Sequence, residues 1–263
     1  LLSKHDTPLV TSFSDITSLL QGKTEFILFY FCAVLIGMSK TGIHGVGTLS
    51  VPILAYLFGA RASTGVLLPV LCMADLMAVI YYRRELQFKN IAGLLPWTLV
   101  GLGVALAVGN QIPAGSFKTL MAACILFGLF VLVWSERKAN VATVTSSKFY
   151  SPVFGFMVGF ATMIGNAAGP IVTVYLLSMR LKKIAFVSTG AWFVMIVNFT
   201  KVPLQIWIWD NLDMATLLLG LTTLPFLALG ATIGIQLVKI LPEKQFRQSM
   251  IVLTLLATLM LLY

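Results

Sequence analysis

An all-α polytopic membrane fold is what this sequence predicts, and three observations carry the prediction. Of 263 residues, 59% are hydrophobic and only 10% charged, and the mean hydropathy is +0.96, a balance that belongs to chains dissolved in lipid rather than in water. Apolar runs of about 20 residues, the length that crosses a hydrocarbon core, alternate with short polar stretches. The basic residues that produce a net charge of +9 gather at the ends of those runs, where membrane topology accounts for them and nucleic-acid binding does not. No long linker, heptad array or low-complexity tract interrupts the pattern, so residues 1–263 read as a single transmembrane domain. Cys32, Cys72 and Cys124 lie in apolar runs without metal-ligand spacing and read as buried hydrophobes. No cofactor or metal is expected.

Residues 1–21 form a polar leader, with Asp15 to Leu20 as a candidate interfacial helix. Full spans are expected at Ala62 to Tyr82, Asn90 to Asn110, Phe117 to Trp134, Ile184 to Trp209, Leu212 to Lys239 and Gln245 to Tyr263. Two regions break the rule. Phe26 to Ser39 and Thr48 to Gly59 flank a cluster containing Gly42, Gly45 and Gly47, and each arm allows roughly 21 Å of helix or less, too short to cross alone. Pro152 to Met163 and Pro170 to Met179 flank "IGNAAGP" in the same way. Each region reads as a re-entrant helical hairpin, with one kinked helix as the alternative. Trp97, Trp134, Trp207 and Trp209 stand at expected helix ends, as interfacial anchors do, whereas Trp192 lies deeper.

Loop charge supports this layout. If each hairpin returns to its own side, segments 83–89, 135–149, 179–183 and 239–247 share one face. They hold Arg83, Arg84, Lys89, Arg137, Lys138, Lys148, Arg180, Lys182, Lys183, Lys239, Lys244 and Arg247, twelve of the 18 basic residues. That face is expected to be cytoplasmic, with both termini opposite.

The chain also repeats itself. A shift of 129 residues aligns Pro96 with Pro225, Gly101 with Gly230, Pro113 with Pro242 and Phe117 with Phe246. A shift of 122 aligns Gly37 with Gly159 and Gly47 with Gly169, and one of 125 aligns Ser63-Thr64-Gly65 with Ser188-Thr189-Gly190. Two halves, about 22–135 and 149–263, each hold one hairpin and three spans. An odd number of crossings makes them inverted repeats, which place a substrate between the halves near the midplane.

"GMSKTGIHGVGTLSVPIL" resembles the G-x-x-K-G-G-x-x-G-x-G-x-x-x-x-P-x-L segment that opens each half of the sulfite exporter TauE/SafE family, and "GFATMIGNAAGPIVTVYLL" is similar to its degenerate second copy. The resemblance covers nearly the whole chain. It implies a transporter of sulfur-containing anions (sulfite, thiosulfate or organosulfonates) in the bacterial inner membrane. This chain departs from the pattern at Thr41, which replaces a glycine; at Thr162, which aligns with Lys40; and at His44, an addition.

The motif's chemistry fits an anion. Glycines let backbone amides approach a ligand, and half-helices starting near Gly47 or Gly169 carry unpaired N–H groups at their positive ends. The expected substrate-binding set is Ser39, Lys40, Thr41, Gly42, His44, Gly45, Gly47 and Thr48 in the first hairpin, Thr162, Gly165, Asn166 and Gly169 in the second, and Asn198 and Lys201 in the following span. Asp75 lies deep in its own span and is expected either to pair with a lysine or to carry a coupling proton. Two readings of Lys40 stand, a midplane charge and a snorkelling side chain. His44 is either a proton relay or a hydrogen-bonding turn residue. The partners are then a small anion, the lipid bilayer and a coupling proton or cation. An intramembrane protease needs paired aspartates, a Ser/His arrangement or a zinc motif, and this sequence has one deep aspartate, two histidines and none of those motifs, so no enzyme is expected. An anion channel and a carrier of small carboxylates remain the alternatives.

Overall fold

In the computed structural model, the residues described are 22–42, 46–113, 150–179 and 181–242, with isolated positions between 116 and 130 and at 245, 248 and 252. The leader, the spans expected at 117–134 and 245–263, the loop 135–149, His44, Gly45, Arg180, Lys244 and Arg247 lie wholly or largely outside them. Every element among the described residues is helical.

The chain begins with α1 (Lys23–Thr41), a one-turn 3₁₀ helix (Val46–Leu49) and α2 (Ser50–Phe58). Next come α3 (Ala60–Tyr82), the short α4 (Lys89–Ala92) and α5 (Leu95–Gln111). The later part holds α6 (Tyr150–Gly165), α7 (Ala168–Ser178), α8 (Lys183–Trp207), α9 (Met214–Thr222) and α10 (Leu224–Ile240). By length and composition α1, α3, α8 and the continuous stretch Lys89–Gln111 each suffice to cross a membrane, and α9 with α10 forms a fifth, bent candidate.

Both glycine-rich regions double back. Ser50 donates to the Cys32 carbonyl at 3.2 Å, which lays α2 beside α1. Ser151 and Tyr175 share a hydrogen bond of 3.0 Å, and the rings of Tyr150 and Tyr175 stack at 5.4 Å, which lays α7 beside α6. In the second hairpin the reversal occurs at Asn166, whose φ of 51° is the left-handed conformation that asparagine tolerates better than most residues. The first arm of each hairpin is longer than the sequence suggests. In the first hairpin it runs through Lys40 to Thr41 and spans 19 residues, about 28 Å at helical rise, because the glycine that ends it is Gly42 and not an earlier residue.

The expected single span from Leu212 to Lys239 is also corrected. It breaks at Thr223, and α9 and α10 meet at 51°. Pro225 in the first turn of α10 supplies no N–H to continue the ladder of α9 and crowds its last turn. Pro96 holds the corresponding place in α5, just after the interruption between α4 and α5. Trp209 is likewise no interfacial anchor. It is buried, stacks edge-on against Phe117 at 5.8 Å and donates Nε1 to the Leu106 carbonyl at 3.3 Å. Trp207, by contrast, is 81% exposed.

The tightest packing joins α5 to α6 and α10 to α1. A Cβ on Gly101 would strike the Phe156 carbonyl and one on Gly159 the Thr98 carbonyl. Similarly, a Cβ on Gly230 would strike the Val34 carbonyl and one on Gly37 the Leu227 carbonyl. Lipid offers no hydrophobic drive for helix association, so close backbone approach at small residues takes its place. These contacts clamp the first arm of each hairpin against a helix from the other part of the chain. Between the two clamped pairs, α3 and α8 lie against each other.

Candidate functional site

The tips of the two hairpins meet at the flanks of α3 and α8. A methyl group on Gly169 would sit 3.8 Å from Thr48 Oγ1, so the hairpins are nearly in contact. Around this point is a cavity of about 70 Å³, and Ser39, Lys40, Gly47, Thr48, Thr162, Asn166, Gly169 and Asn198 all line it. Leu67 and Leu71 of α3 and Gly190, Ala191 and Val194 of α8 complete its walls. The volume suits a guest of a few heavy atoms; a single water needs only about 10–15 Å³ on this measure.

Two charged groups stand immediately behind that wall. Asp75 is 0% exposed. Its Oδ1 accepts an ion pair from Lys40 Nζ at 2.7 Å, and its Oδ2 accepts from Asn198 Nδ2 at 2.6 Å. Lys40 therefore has its ammonium at the cavity, held by an acid from α3, rather than extended toward an interface. Lys201, also 0% exposed, donates to Asn166 Oδ1 and to Thr162 Oγ1 at 3.4 Å. Both acceptors are neutral. Among the described residues no carboxylate forms an ion pair with Lys201. With the three groups in their ordinary charge states, two cations and one anion leave the cluster with one net positive charge, and burial leaves little water to screen it.

The backbone adds donors. In α7 the first N–H groups have no partner one turn back, and Pro170 has none to offer, so Ala168 and Gly169 present the start of an 11-residue helix to the cavity they line. A negative guest there meets the positive end of the helix dipole. On the facing hairpin, the Ser39 side chain would lie 2.9 Å from a Cβ on Gly47. Any larger residue at Gly47 would push the serine or close the space.

Three of the expected site residues turn elsewhere. Thr41 donates to the carbonyls of Gly37 at 3.0 Å and Ala231 at 2.9 Å, fastening α1 to α10. Gly42 lies against Gly234 and Gly165 against Met121, where a Cβ would collide. They are packing positions. His44 and Gly45 lie outside the described residues. Gln205, outside the expected set, lies beside the cluster without lining the cavity. It is fully buried and donates to Thr64 Oγ1 at 3.3 Å, while Asn166 Nδ2 donates to the Thr64 carbonyl at 3.4 Å. Asn198, Lys201 and Gln205 are spaced i, i+3 and i+7 on one helix face, which is the pattern that marks it.

The cluster of Lys40, Asp75 and Lys201 thus lies buried between two glycine-broken hairpins. Residues 29–261 match the profile of the family described as Sulfite exporter TauE/SafE. The chain belongs to that family. No curated protein and no solved structure matches it. Sulfite exporter TauE/SafE proteins are membrane transporters, and this member has the apolar helices of a multi-pass membrane protein.

Proposed function

We propose that this TauE/SafE protein is a secondary transporter of a small sulfur-containing anion, with sulfite, thiosulfate and organosulfonates as the substrate class. The observation that carries the reading is Lys201, an ammonium buried without a carboxylate partner among the described residues, one side chain behind a cavity lined by hydroxyls, amides and a helix start. Such a site favours a guest that brings the missing negative charge. Ser39, Thr48 and Thr162 are the hydroxyl donors for its oxygens, Asn166 and Asn198 the amide donors, and Lys40, its charge already balanced by Asp75, a further donor at the wall.

The mechanism we infer is alternating access, with the two hairpins and α3 and α8 holding the anion while the two halves rock about it. Its support is an equivalence of contacts. Under the offsets of 122 and 129 residues, Gly101 against Phe156 maps onto Gly230 against Val34, and Gly159 against Thr98 maps onto Gly37 against Leu227. Inverted repeats built on two like clamps have the symmetry needed to exchange roles. The proposed location is the bacterial inner membrane, with the basic loops cytoplasmic.

The test is uptake into proteoliposomes of sulfite, thiosulfate, sulfoacetate, taurine, sulfate and simple carboxylates. Saturable uptake of at least one sulfur anion, accelerated by the same anion inside, is the expected result. Flux that rises linearly without counterflow would make the protein a channel, and carboxylates outcompeting every sulfur anion would reassign the substrate.

A further inference from the structure

A second, more voluminous cavity lies apart from the one between the hairpins. A groove of about 940 Å³ runs between the C-terminal half of α3 and the outer face of α10. Met77, Ile80 and Tyr82 form one wall and Ala228, Ile235 and Val238 the other. Its mouth carries Arg83, Arg84 and Lys239, with Glu85 as the acidic member. The two helices end together here: Arg83 caps α3 and Lys239 lies in the last turn of α10. Lys239 Nζ stands 5.9 Å from the centre of the Tyr81 ring, which keeps its charge over the mouth.

Three features identify the occupant. From Ala228 to Val238 the helical rise covers about 15 Å, half of a hydrocarbon core of about 30 Å, so the apolar wall is as long as one leaflet. A small hydrated anion would exchange its water for Met77, Ile80, Ile235 and Val238, which offer it no hydrogen bond. Among the described residues at the mouth, three cations against one carboxylate favour a negatively charged headgroup over a zwitterionic one. The groove is also separate from the anion cavity. Its floor is closed where Tyr82 donates its hydroxyl to the Thr41 carbonyl at 2.8 Å and Thr41 donates to Ala231.

We propose that this groove binds one anionic phospholipid from the leaflet at the basic end of the molecule, its phosphate at Arg83, Arg84 and Lys239 and an acyl chain along α3 and α10. The experiment is native mass spectrometry of the full chain, purified with equal amounts of phosphatidylglycerol and phosphatidylethanolamine of matched chains. Near an anionic headgroup each cation contributes about fivefold, so the wild type should retain phosphatidylglycerol at least about tenfold over phosphatidylethanolamine. R83Q/R84Q/K239Q should retain the two equally. A228W keeps all three charges but fills the groove, and should lose the retained lipid of either kind. Equal retention of both lipids by the wild type would overturn the proposal. So would a preference that survives both variants, which would place the lipid elsewhere, or a dimer that A228W dissociates, which would assign the groove to a second copy of the chain.

Discussion

At the first hairpin the cation stands on the tip, at Lys40, and an acid backs it from the spanning helix, at Asp75. At the second the tip offers a hydroxyl, Thr162, and the spanning helix supplies the cation, Lys201. Thr162 is the residue that the 122-residue offset places at Lys40, and Asp75 falls under the 125-residue offset on Thr200, beside Lys201. The two sides thus share a backbone plan and differ in charge. The first side neutralises itself, whereas the second does not. On the proposed function, the positive charge offered to a guest is that of Lys201, and Lys40, neutralised by Asp75, contributes position more than net charge.

The largest effect should come from opening the neutral side. Asp75→Asn leaves the Lys40 ammonium without its partner, and breaking one half of a buried pair costs about 3–5 kcal/mol. Thermal or denaturant unfolding in detergent should show that loss. The double variant Lys40→Met/Asp75→Asn should regain most of it and still bind anion, since Lys201 is untouched; a double variant as unstable as the single one would break the comparison. Next come the two clamps. Gly101→Val and Gly230→Val overfill equivalent contacts, so each should destabilise by about 1–3 kcal/mol and by similar amounts. A large disparity between them would show that the equivalence of the halves stops at sequence.

Asn198 joins the two sides, facing the cavity while holding Asp75. Asn198→Leu should weaken anion binding about tenfold, the worth of one hydrogen bond to a charged group, measured as a rise in half-saturating concentration. Thr41→Val should have the smallest effect. Its hydroxyl serves Gly37 and Ala231, so uptake should change by less than about twofold while stability falls by about 1 kcal/mol.

The fold was legible where the sequence states its physics locally. Glycine clusters interrupt apolar runs that are otherwise helical, and the chain reverses there. Polar residues in an apolar run have few places to go, so Lys40, Thr48, Thr162, Asn166, Asn198 and Lys201 converge. The misreadings came from information that is not local. A glycine that opens a turn and one that admits a neighbour are the same letter, so the sequence alone does not separate Gly42 and Gly165, which pack against Gly234 and Met121, from glycines that line a site. Thr41 is adjacent to Lys40, but consecutive helical residues point about 100° apart, and only the position of α10 reveals which of the two meets the cavity. The bend at Thr223 depends on Pro225, and a proline that marks a repeat reads the same in sequence as one that breaks a helix. Trp209 needed Phe117 and Leu106 to be identified as buried.

The most direct test of the account is ligand-induced stabilisation of Lys201→Met. A ligand at 100 times its dissociation constant stabilises the folded form by about 2.7 kcal/mol, so the wild type should melt several degrees higher when saturated with a transported sulfur anion. Lys201→Met should be folded without ligand and show no shift at the same concentration, whereas Lys40→Met/Asp75→Asn should still shift. If Lys201→Met is stabilised as strongly as the wild type, the charge that attracts the anion is not Lys201, and the asymmetry between the two hairpins has another purpose.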